Sequence, residues 1–547
     1  MTKIVIIGGV AGGASFAARM RRLDEDAEII MFDKGEFISF ANCGLPYHIG
    51  KVIADREELI LQTPERFKAR YNVDVRVRSE VTALNTAEKT VTVVTTDRTY
   101  TESYDILLLT PGSTPVRPPI PGITHERILT LRTIPDMDRI KAFAQKTGKG
   151  DTVVIGGGFI GLEVAENLRH LGNAVSLVEL ADQVFAPADR EMAGILHQHM
   201  RQKGVDLYLG NGAKEFTETT DGKIAVALSG GETLVADFVV LAIGVRPDTG
   251  FLKGTGIACN KQGAIIVDEH MRTSIPDVYA VGDAVEVTDL ISGVKGSMPL
   301  AGPANRQARI AADNAAGIPS TYKHTQGTAI CKLFDLTAAV TGISEKTAGR
   351  AGIPFLKSYT HSSSHASYYP GATPMSVKLL FAPDTGRVLG AQIIGREGVD
   401  KRIDVLATAV RHQLTVSDLT ELELSYAPPF GSAKDPVNMA GYVAENILSG
   451  KMPHFHVEDI EKLDADASVL LDVRTNGEHA AGAIPDSLLI PVDRLRERLV
   501  ELDKNKEINV YCQVGLRGYI ATRILLQNGF RAKNLSGGYK TYAATEH

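Results

Sequence analysis

Asp151-Thr-Val-Val-Ile-Gly-Gly-Gly-Phe-Ile-Gly161 is the stretch on which the fold turns. A β-branched strand runs straight into glycines at 156, 158 and 161, and Leu162-Glu-Val-Ala-Glu-Asn-Leu-Arg-His-Leu171 follows with helical apolar spacing until Gly172 closes it. Glycines at this spacing permit a tight turn and let a pyrophosphate approach the backbone N–H groups at the start of the helix. The N-terminus repeats the design: Lys3-Ile-Val-Ile-Ile7, then Gly8-Gly-Val-Ala-Gly-Gly13, then the helix-like Ala14 to Leu23. In each copy a second strand ends in an acid, Asp33 after Ile29-Ile-Met-Phe and Glu179 after Val175-Ser-Leu-Val. These acids follow Gly13 and Gly161 by 20 and 18 residues, near the ~20 at which a carboxylate takes a ribose hydroxyl. Two dinucleotides are therefore expected. The binding candidates are Gly8, Gly12, Gly13 and Asp33 in the first copy, where Val10 replaces the second glycine. In the second they are Gly156, Gly158, Gly161 and Glu179. Leu180 and Ala181 follow Glu179, with no arginine for a 2′-phosphate, which favours NADH over NADPH.

With 547 residues the chain has room for several domains of ~100–200 residues each. Its 59 basic against 65 acidic residues, a net charge of −6, argue against nucleic acid or an anionic membrane as partner. The longest apolar runs, Ile106 to Leu109 and Phe238 to Ile243, fall far short of the ~20 residues of a membrane helix. Met1 to Ile7 runs into Gly8 without a cleavage pattern, so it reads as a first strand and a cytoplasmic location is expected. The four cysteines, Cys43, Cys259, Cys331 and Cys512, are too far apart for a zinc ribbon or a disulfide framework. No metal site is expected, and His361 and His365, with three serines between them, read as a polar loop.

Past Gly317 the glycine turns thin out. Ala329 to Val340 and Met375 to Phe381 alternate like antiparallel strands, and Arg402 to His412 reads as a helix, together a separate α+β domain. Gly450 to His456 is a short polar break. Beyond it, strand patterns at Ser468 to Val473, Leu488 to Val492 and Ile508 to Cys512 alternate with helices as a small α/β module.

Two more segments give the first half a family likeness. Thr110-Pro-Gly-Ser-Thr114, containing Gly112, and Val278-Tyr-Ala-Val-Gly-Asp283-Ala resemble the returning-strand motifs of two-dinucleotide flavoprotein disulfide reductases. The resemblance covers roughly residues 1 to 447. It implies FAD at the first motif, with Asp283 on its ribityl chain, and NADH at the second. Reductases of the glutathione reductase type carry two flavin-proximal cysteines, whereas this chain has only Cys43 in Ser39-Phe-Ala-Asn42-Cys43-Gly-Leu-Pro-Tyr47. A helix start just after Cys43 is expected to lower its thiol pKa. A lone redox thiol needs a sulfenate oxygen or a substrate sulfur as its oxidised partner.

That segment resembles the single-cysteine branch containing coenzyme A disulfide reductase, NADH oxidase and NADH peroxidase. By this resemblance Tyr368 and Tyr426 are the two tyrosines near the sulfur site, where a phenol can donate to a leaving thiolate. The same likeness implies coenzyme A along the first helix, touching Arg19, Arg22, Ser39 and Asn42, and a homodimer in which the third domain reaches the partner's flavin. In the C-terminal module, Val510-Tyr-Cys512-Gln-Val-Gly-Leu-Arg517-Gly518 places a cysteine between a strand and a helix, in a loop that can turn N–H groups toward the sulfur. With Leu471-Asp-Val-Arg474, Glu478, Gly482-Ala-Ile-Pro485 and Ser536-Gly-Gly538 it resembles a single-domain rhodanese. The four residues between Cys512 and Arg517 are the sulfur-handling loop length.

The expected α/β architecture has two Rossmann-like dinucleotide-binding domains, an α+β dimerisation domain and a rhodanese domain. These map to 1–112 with 245–320 (FAD), 113–244 (NADH), 321–449 (dimerisation) and 457–547 (rhodanese). The whole resembles coenzyme A disulfide reductase–rhodanese fusions, including persulfide and polysulfide reductases. It implies electron transfer from NADH through FAD and Cys43 to small sulfane-sulfur substrates, with sulfur handling at Cys512 and Arg517. Two alternatives remain open at this point: an NADH peroxidase or oxidase using a Cys43 sulfenate, and a sulfur-carrier or redox-sensing protein.

Overall fold

The computed structural model describes residues 1–545; the last two positions of the expected 457–547 domain, Glu546 and His547, lie outside the described residues. The chain forms two compact units. One comprises Met1–Asp182 and Gly204–Thr325, the other Gln183–Lys203 and the chain from Gln326 onward.

The first unit contains the same five-stranded parallel sheet twice. One runs Val278–Ala280, Ile106–Leu109, Lys3–Ile7, Glu28–Phe32, Asp74–Arg76, and the other Val205–Tyr208, Ala174–Val178, Asp151–Ile155, Phe238–Leu241, Ile128–Thr130. In both, the strand leading into the glycines is central, with the acid-bearing strand on one side and a returning strand on the other. Such central strands are covered on both faces, which is why Ile4, Val5, Ile6, Val153 and Val154 form unbroken apolar runs and are buried. Helices Ala11–Leu23 and Phe159–His170 follow the two glycine turns. Each sheet is accompanied by a three-stranded antiparallel sheet, Glu80–Ser103 and Ala213–Ala236. Ser113–Pro115 pairs with Val245–Pro247 where the chain leaves the first nucleotide sheet and returns to it.

The second unit begins with a helix from the 113–244 stretch. Arg190–Gln202 packs here because its N-cap, Asp189, and Glu191 in its first turn bind groups on the antiparallel sheet. That sheet runs Ala329–Leu333, Leu336–Gly342, Val388–Gly395, Pro374–Phe381, Leu356–Ser363 and carries helices Val399–Arg411 and Pro436–Leu448. The C-terminal module has a parallel sheet, His454–Phe455, Arg531–Leu535, Glu507–Tyr511, Ser468–Asp472, Leu488–Leu489.

Two sequence expectations change in this unit. The supposed polar break ends inside the module's sheet, because His454–Phe455 pairs with Asn534–Leu535. His361 is no loop residue: it lies in strand Leu356–Ser363, between the Ser376 and Thr541 hydroxyls at 2.9 Å each, and burial pushes its pKa down to about 3. The strand holds its place through Tyr359, whose N–H donates to Ser536 Oγ at 3.3 Å, and Lys357, which bonds both Glu345 and Glu458. Beneath them Lys378, 0% exposed, is ringed by Asp189, Glu191 and Glu345. Those three acids could be taken for a metal cluster, but the Lys378 ammonium already occupies their centre. No helix among the described residues is long and apolar enough to cross a membrane.

Candidate active site

The two glycine turns share their first and last glycine contacts. Gly8 and Gly156 have φ of +103° and +109°, which side chains on L-residues rarely adopt. A methyl group on Gly13 would be driven into the Gly8 carbonyl oxygen, and one on Gly161 into that of Gly156, so the helix can seat on its strand only without a Cβ. Gly12 is equally close to Thr110 and Val281, whereas Gly158 has nothing within 4 Å of where its Cβ would stand. An open face at the second glycine of the motif is what backbone approach by a pyrophosphate requires. At Val10, which precedes helix Ala11–Leu23, the turn instead packs Gly9 on Ile38, and the Ser39 N–H donates to the Gly9 carbonyl at 2.9 Å.

The two acids are held alike too. Asp33 accepts from Gly9 N at 2.8 Å and Gly35 N at 2.7 Å; Glu179 accepts from Gly157 N at 2.6 Å and Ala181 N at 2.8 Å. Burial raises the Asp33 pKa, and the two backbone donors oppose it. The other returning-strand residues converge on the first cradle. Asp283 Oδ2 accepts from Ser113 Oγ at 2.9 Å and from Arg132 at 3.3 Å, and Gly112, at φ +70°, neighbours the same Arg132 guanidinium. All these groups lie at the carboxyl ends of parallel strands, where open α/β sheets bind dinucleotides. The donor set fits FAD at the first cradle and a nicotinamide dinucleotide at the second.

Cys43 sits in the turn Asn42–Gly44, ahead of the short helix Leu45–Ile49. Its side chain is exposed, with Asn42 Oδ1 3.9 Å from Sγ. The expected lowering of its pKa is not what the surroundings produce: partial desolvation in the cleft raises it first, then the negative charges of Glu163 and Asp283, and only Arg132 pulls it down. A five-residue helix is too short to outweigh those terms. Glu163, from the second glycine helix, is pushed up to about 7 by burial; Tyr47 Oη donates to its Oε1 at 3.3 Å, which lowers it, and Glu166 raises it. Sequence reading missed Glu163, Tyr47, Arg132 and Ser113. Glu163 stands two residues past Gly161 and could have been noticed, but Arg132 reaches the site only through the fold.

Of the suggested coenzyme A contacts, Ser39 and Asn42 lie in the thiol segment, on the N-terminal side of Cys43. Arg19 is tied to Asp313 at 2.7 Å, and Arg22 is exposed. In the second unit the structure brings Tyr368 and Tyr426 together, their hydroxyls 2.9 Å apart and the side chains 74% and 48% exposed; the bond from Tyr426 raises the Tyr368 pKa.

Cys512 is buried at the end of strand Glu507–Tyr511, and one N–H, that of Gly515, points at its Sγ at 3.1 Å. Gly515 has φ +101°, the turn that lets this N–H face inward. Arg517 grips Glu478 with two bonds of 2.6 and 2.8 Å and holds that carboxyl down at about 2. Arg474, buried on Asp472 at 2.8 Å, reaches Gln513 of the loop at 3.2 Å.

Comparison with known proteins agrees with this construction. Residues 2–308 match the pyridine nucleotide-disulphide oxidoreductase family, 328–436 its dimerisation domain, and 457–545 the rhodanese-like domain. Coenzyme A disulfide reductase of Staphylococcus epidermidis is 35% identical over 449 residues, 81% of this chain and all of that protein. The reduced Bacillus anthracis CoADR-RHD crystal structure superposes with a TM-score of 0.96 at 49% identity, covering 100% of this chain and 98% of the other. The NAD-dependent persulfide reductase of A. fulgidus gives 0.93 at 36% identity, covering 99% of this chain and 100% of its own. With both nucleotide cradles, the antiparallel third domain and the terminal cysteine loop all accounted for, the chain belongs to the pyridine nucleotide-disulphide oxidoreductase family and carries a rhodanese-like domain.

Proposed function

We propose that the protein is an NADH-dependent flavoprotein reductase of sulfane sulfur, acting on persulfides, coenzyme A persulfide or disulfide, or polysulfide through Cys43, with sulfur transfer at Cys512. The observation that carries this reading is the exposed Cys43 thiol among groups drawn from both nucleotide-binding segments, in a chain with a second cysteine loop at Cys512. FAD, held at the first cradle by Asp33 and Asp283, would supply two-electron redox chemistry between NADH and the thiol. The Cys43 thiolate attacks the outer sulfur of R–S–SH, forms Cys43–S–SH and expels RS⁻. Two electrons then cleave the new S–S bond, giving Cys43–S⁻ and HS⁻. Arg132 favours the thiolate, and Asp283, fixed by Ser113 and Arg132, orients the flavin-side wall.

The protein acts as a homodimer, in which the exposed Tyr368–Tyr426 pair faces Cys43 of the partner subunit and holds the proton for the departing RS⁻. Pantetheine of coenzyme A lies over Ser39 and Asn42, with Arg19 and Arg22 toward its phosphates. Four free thiols suit the reducing cytoplasm. The test is NADH oxidation by the FAD-loaded enzyme with polysulfide, coenzyme A disulfide, peroxide and oxygen offered side by side. Sulfur substrates should dominate, and Cys43→Ser should end their turnover while NADH still reduces the flavin. Faster turnover with peroxide or oxygen would make Cys43 a sulfenate catalyst instead.

A further inference from the structure

One short helix of the C-terminal module is held from two sides. Helix Gly538–Ala544 begins against the cysteine loop, where the N–H groups of Tyr539 and Lys540 donate to the carbonyls of Cys512 and Gln513 at 2.8 and 3.0 Å. Its first residue leaves no slack there. Gly538 has φ +63°, and a Cβ on it would stand 2.4 Å from the Cys512 carbonyl oxygen and 2.9 Å from the Gly515 nitrogen, whose N–H points at the Cys512 sulfur. Beyond the loop, the helix is fastened to residues outside the module. Thr541 Oγ1 meets His361 Nε2 at 2.9 Å, and the Ser536 hydroxyl just before the helix accepts from the Tyr359 N–H. Gln198 Nε2 donates to the Ala543 carbonyl at 2.5 Å, and a Cβ on Gly194 would stand 1.8 Å from the Ala544 carbonyl oxygen. Gly194 and Gln198 lie one turn apart on helix Arg190–Gln202. Tyr539 and Tyr542 pack into the module's own apolar cluster with Phe455, Tyr511 and Leu535, so the helix is clamped between the two.

We propose that Gly194 and Thr541, with its partner His361, are positioning residues for sulfur transfer: they hold helix Gly538–Ala544 where its first N–H groups fix the Cys512 loop and keep the Gly515 N–H aimed at the sulfur. The helix has seven residues, about 10 Å, and moves as one rigid piece, so a push at Ala544 is felt at Gly538. The reading rests on Cys512 being the sulfur-transfer thiol. In that reaction the Cys512 thiolate attacks the outer sulfur of a donor, forms Cys512–S–S⁻ and expels the rest of the donor as an anion. An acceptor nucleophile then takes the outer sulfur, and the electron pair of the broken S–S bond returns to Sγ. The Gly515 N–H stabilises the charge that returns, because a hydrogen bond to an anion is stronger than one to a neutral sulfur. A dipole aimed at developing charge works only while it is held in place, and here part of the holding comes from the helix and the strand that carry Gly194 and His361.

The FAD-loaded full chain is assayed with thiosulfate as donor and cyanide as acceptor, thiocyanate and sulfite being the products, beside anaerobic bleaching of its flavin by NADH. Gly194→Ala is the main probe: alanine suits a helix interior better than glycine, so its cost is the collision with the Ala544 carbonyl. Gly349→Ala, in helix Glu345–Ala351 with nothing within 4 Å of the new methyl, is the control and should match wild type. Gly194→Ala should lower kcat/KM for cyanide, the step that returns charge to Sγ, by roughly 10- to 100-fold, the worth of one charge-assisted hydrogen bond. It should lower kcat/KM for thiosulfate far less and leave flavin bleaching unchanged. Thr541→Val should repeat the cyanide loss, and Thr541→Ser should restore it. Wild-type rates in both steps for Gly194→Ala, or equal losses in both, would overturn the proposal. If Gly194→Ala does not fold, the two Thr541 variants decide, and Thr541→Val at wild-type rates overturns it equally. Failure of the sulfur-transfer reading looks different: Cys512→Ser would still make thiocyanate.

Discussion

Gly156 and Gly158 belong to one motif, yet a methyl group should affect them in opposite ways. Gly158 has φ −79° and ψ −175°, a conformation open to any residue, and nothing within 4 Å of its missing Cβ. Gly158→Ala should therefore leave folding untouched or gain ~0.4–1 kcal/mol from a stiffer unfolded chain. Its methyl would stand on the face by which a pyrophosphate approaches the helix N-terminus. Losing one charge-assisted hydrogen bond there costs ~1.5–3 kcal/mol, about a 10- to 150-fold weaker Kd for NADH. Gly156→Ala carries the opposite burden. A residue at φ +109° with its Cβ against the Ala242 carbonyl costs ~1–2 kcal/mol in backbone strain and a further ~1–3 in overpacking. The assay is anaerobic bleaching of the flavin absorbance against NADH concentration, with thermal unfolding of the same samples. Gly158→Ala should keep its flavin and its Tm and lose NADH affinity; Gly156→Ala should lose Tm. Unchanged NADH affinity in Gly158→Ala would refute the placement of the pyrophosphate over this glycine.

Replacing both Tyr368 and Tyr426 by phenylalanine should slow sulfur turnover by ~10²–10⁴-fold, the range for general acids, without slowing flavin reduction by NADH; sedimentation of this variant as a dimer shows that the loss is chemical. Cys512→Ser should keep reduction of small ready-made persulfides and lose sulfur transfer from donors such as thiosulfate, measured as thiocyanate formed from cyanide. The ion pair of Glu478 with Arg517 gives a pH signature. Because the folded Glu478 pKa is depressed to about 2, its contribution to stability is present above its ordinary value of 4.5 and is lost as pH falls through about 2. A urea titration of wild type between pH 6 and 2 should show a loss that Glu478→Gln lacks.

The parts of this molecule readable in advance are those written in consecutive residues. Strand, glycine turn, helix and distal acid obey local rules, so Gly8, Gly13, Asp33, Gly156, Gly161 and Glu179 are legible in the sequence alone. The cysteine loop at Cys512 is equally local. Arg132 became visible only when the fold carried it to Asp283, 151 positions along the chain. Lys378 stands in Pro374–Phe381, an otherwise apolar strand, and is buried because Asp189, Glu191 and Glu345 arrive from distant segments. The thiol environment misled for a related reason: a helix start is a local feature that lowers a pKa, but burial and the charge of Glu163 are tertiary and outweigh it.

His361 shows most plainly how a polar sequence can belong to an interior. Its run of serines and histidines looks solvated, but strand Leu356–Ser363 is the edge of its sheet, and its polar groups are those an interface needs. Thr541 meets His361, Ser536 meets the Tyr359 N–H and Glu458 meets Lys357, all from the C-terminal module. The residues read as a short polar break finish inside the module's own sheet. Removing the Thr541 or the Ser536 hydroxyl leaves His361 Nε2 or the Tyr359 N–H unmatched, at ~1–3 kcal/mol each, so the module stays seated and does not swing on a tether.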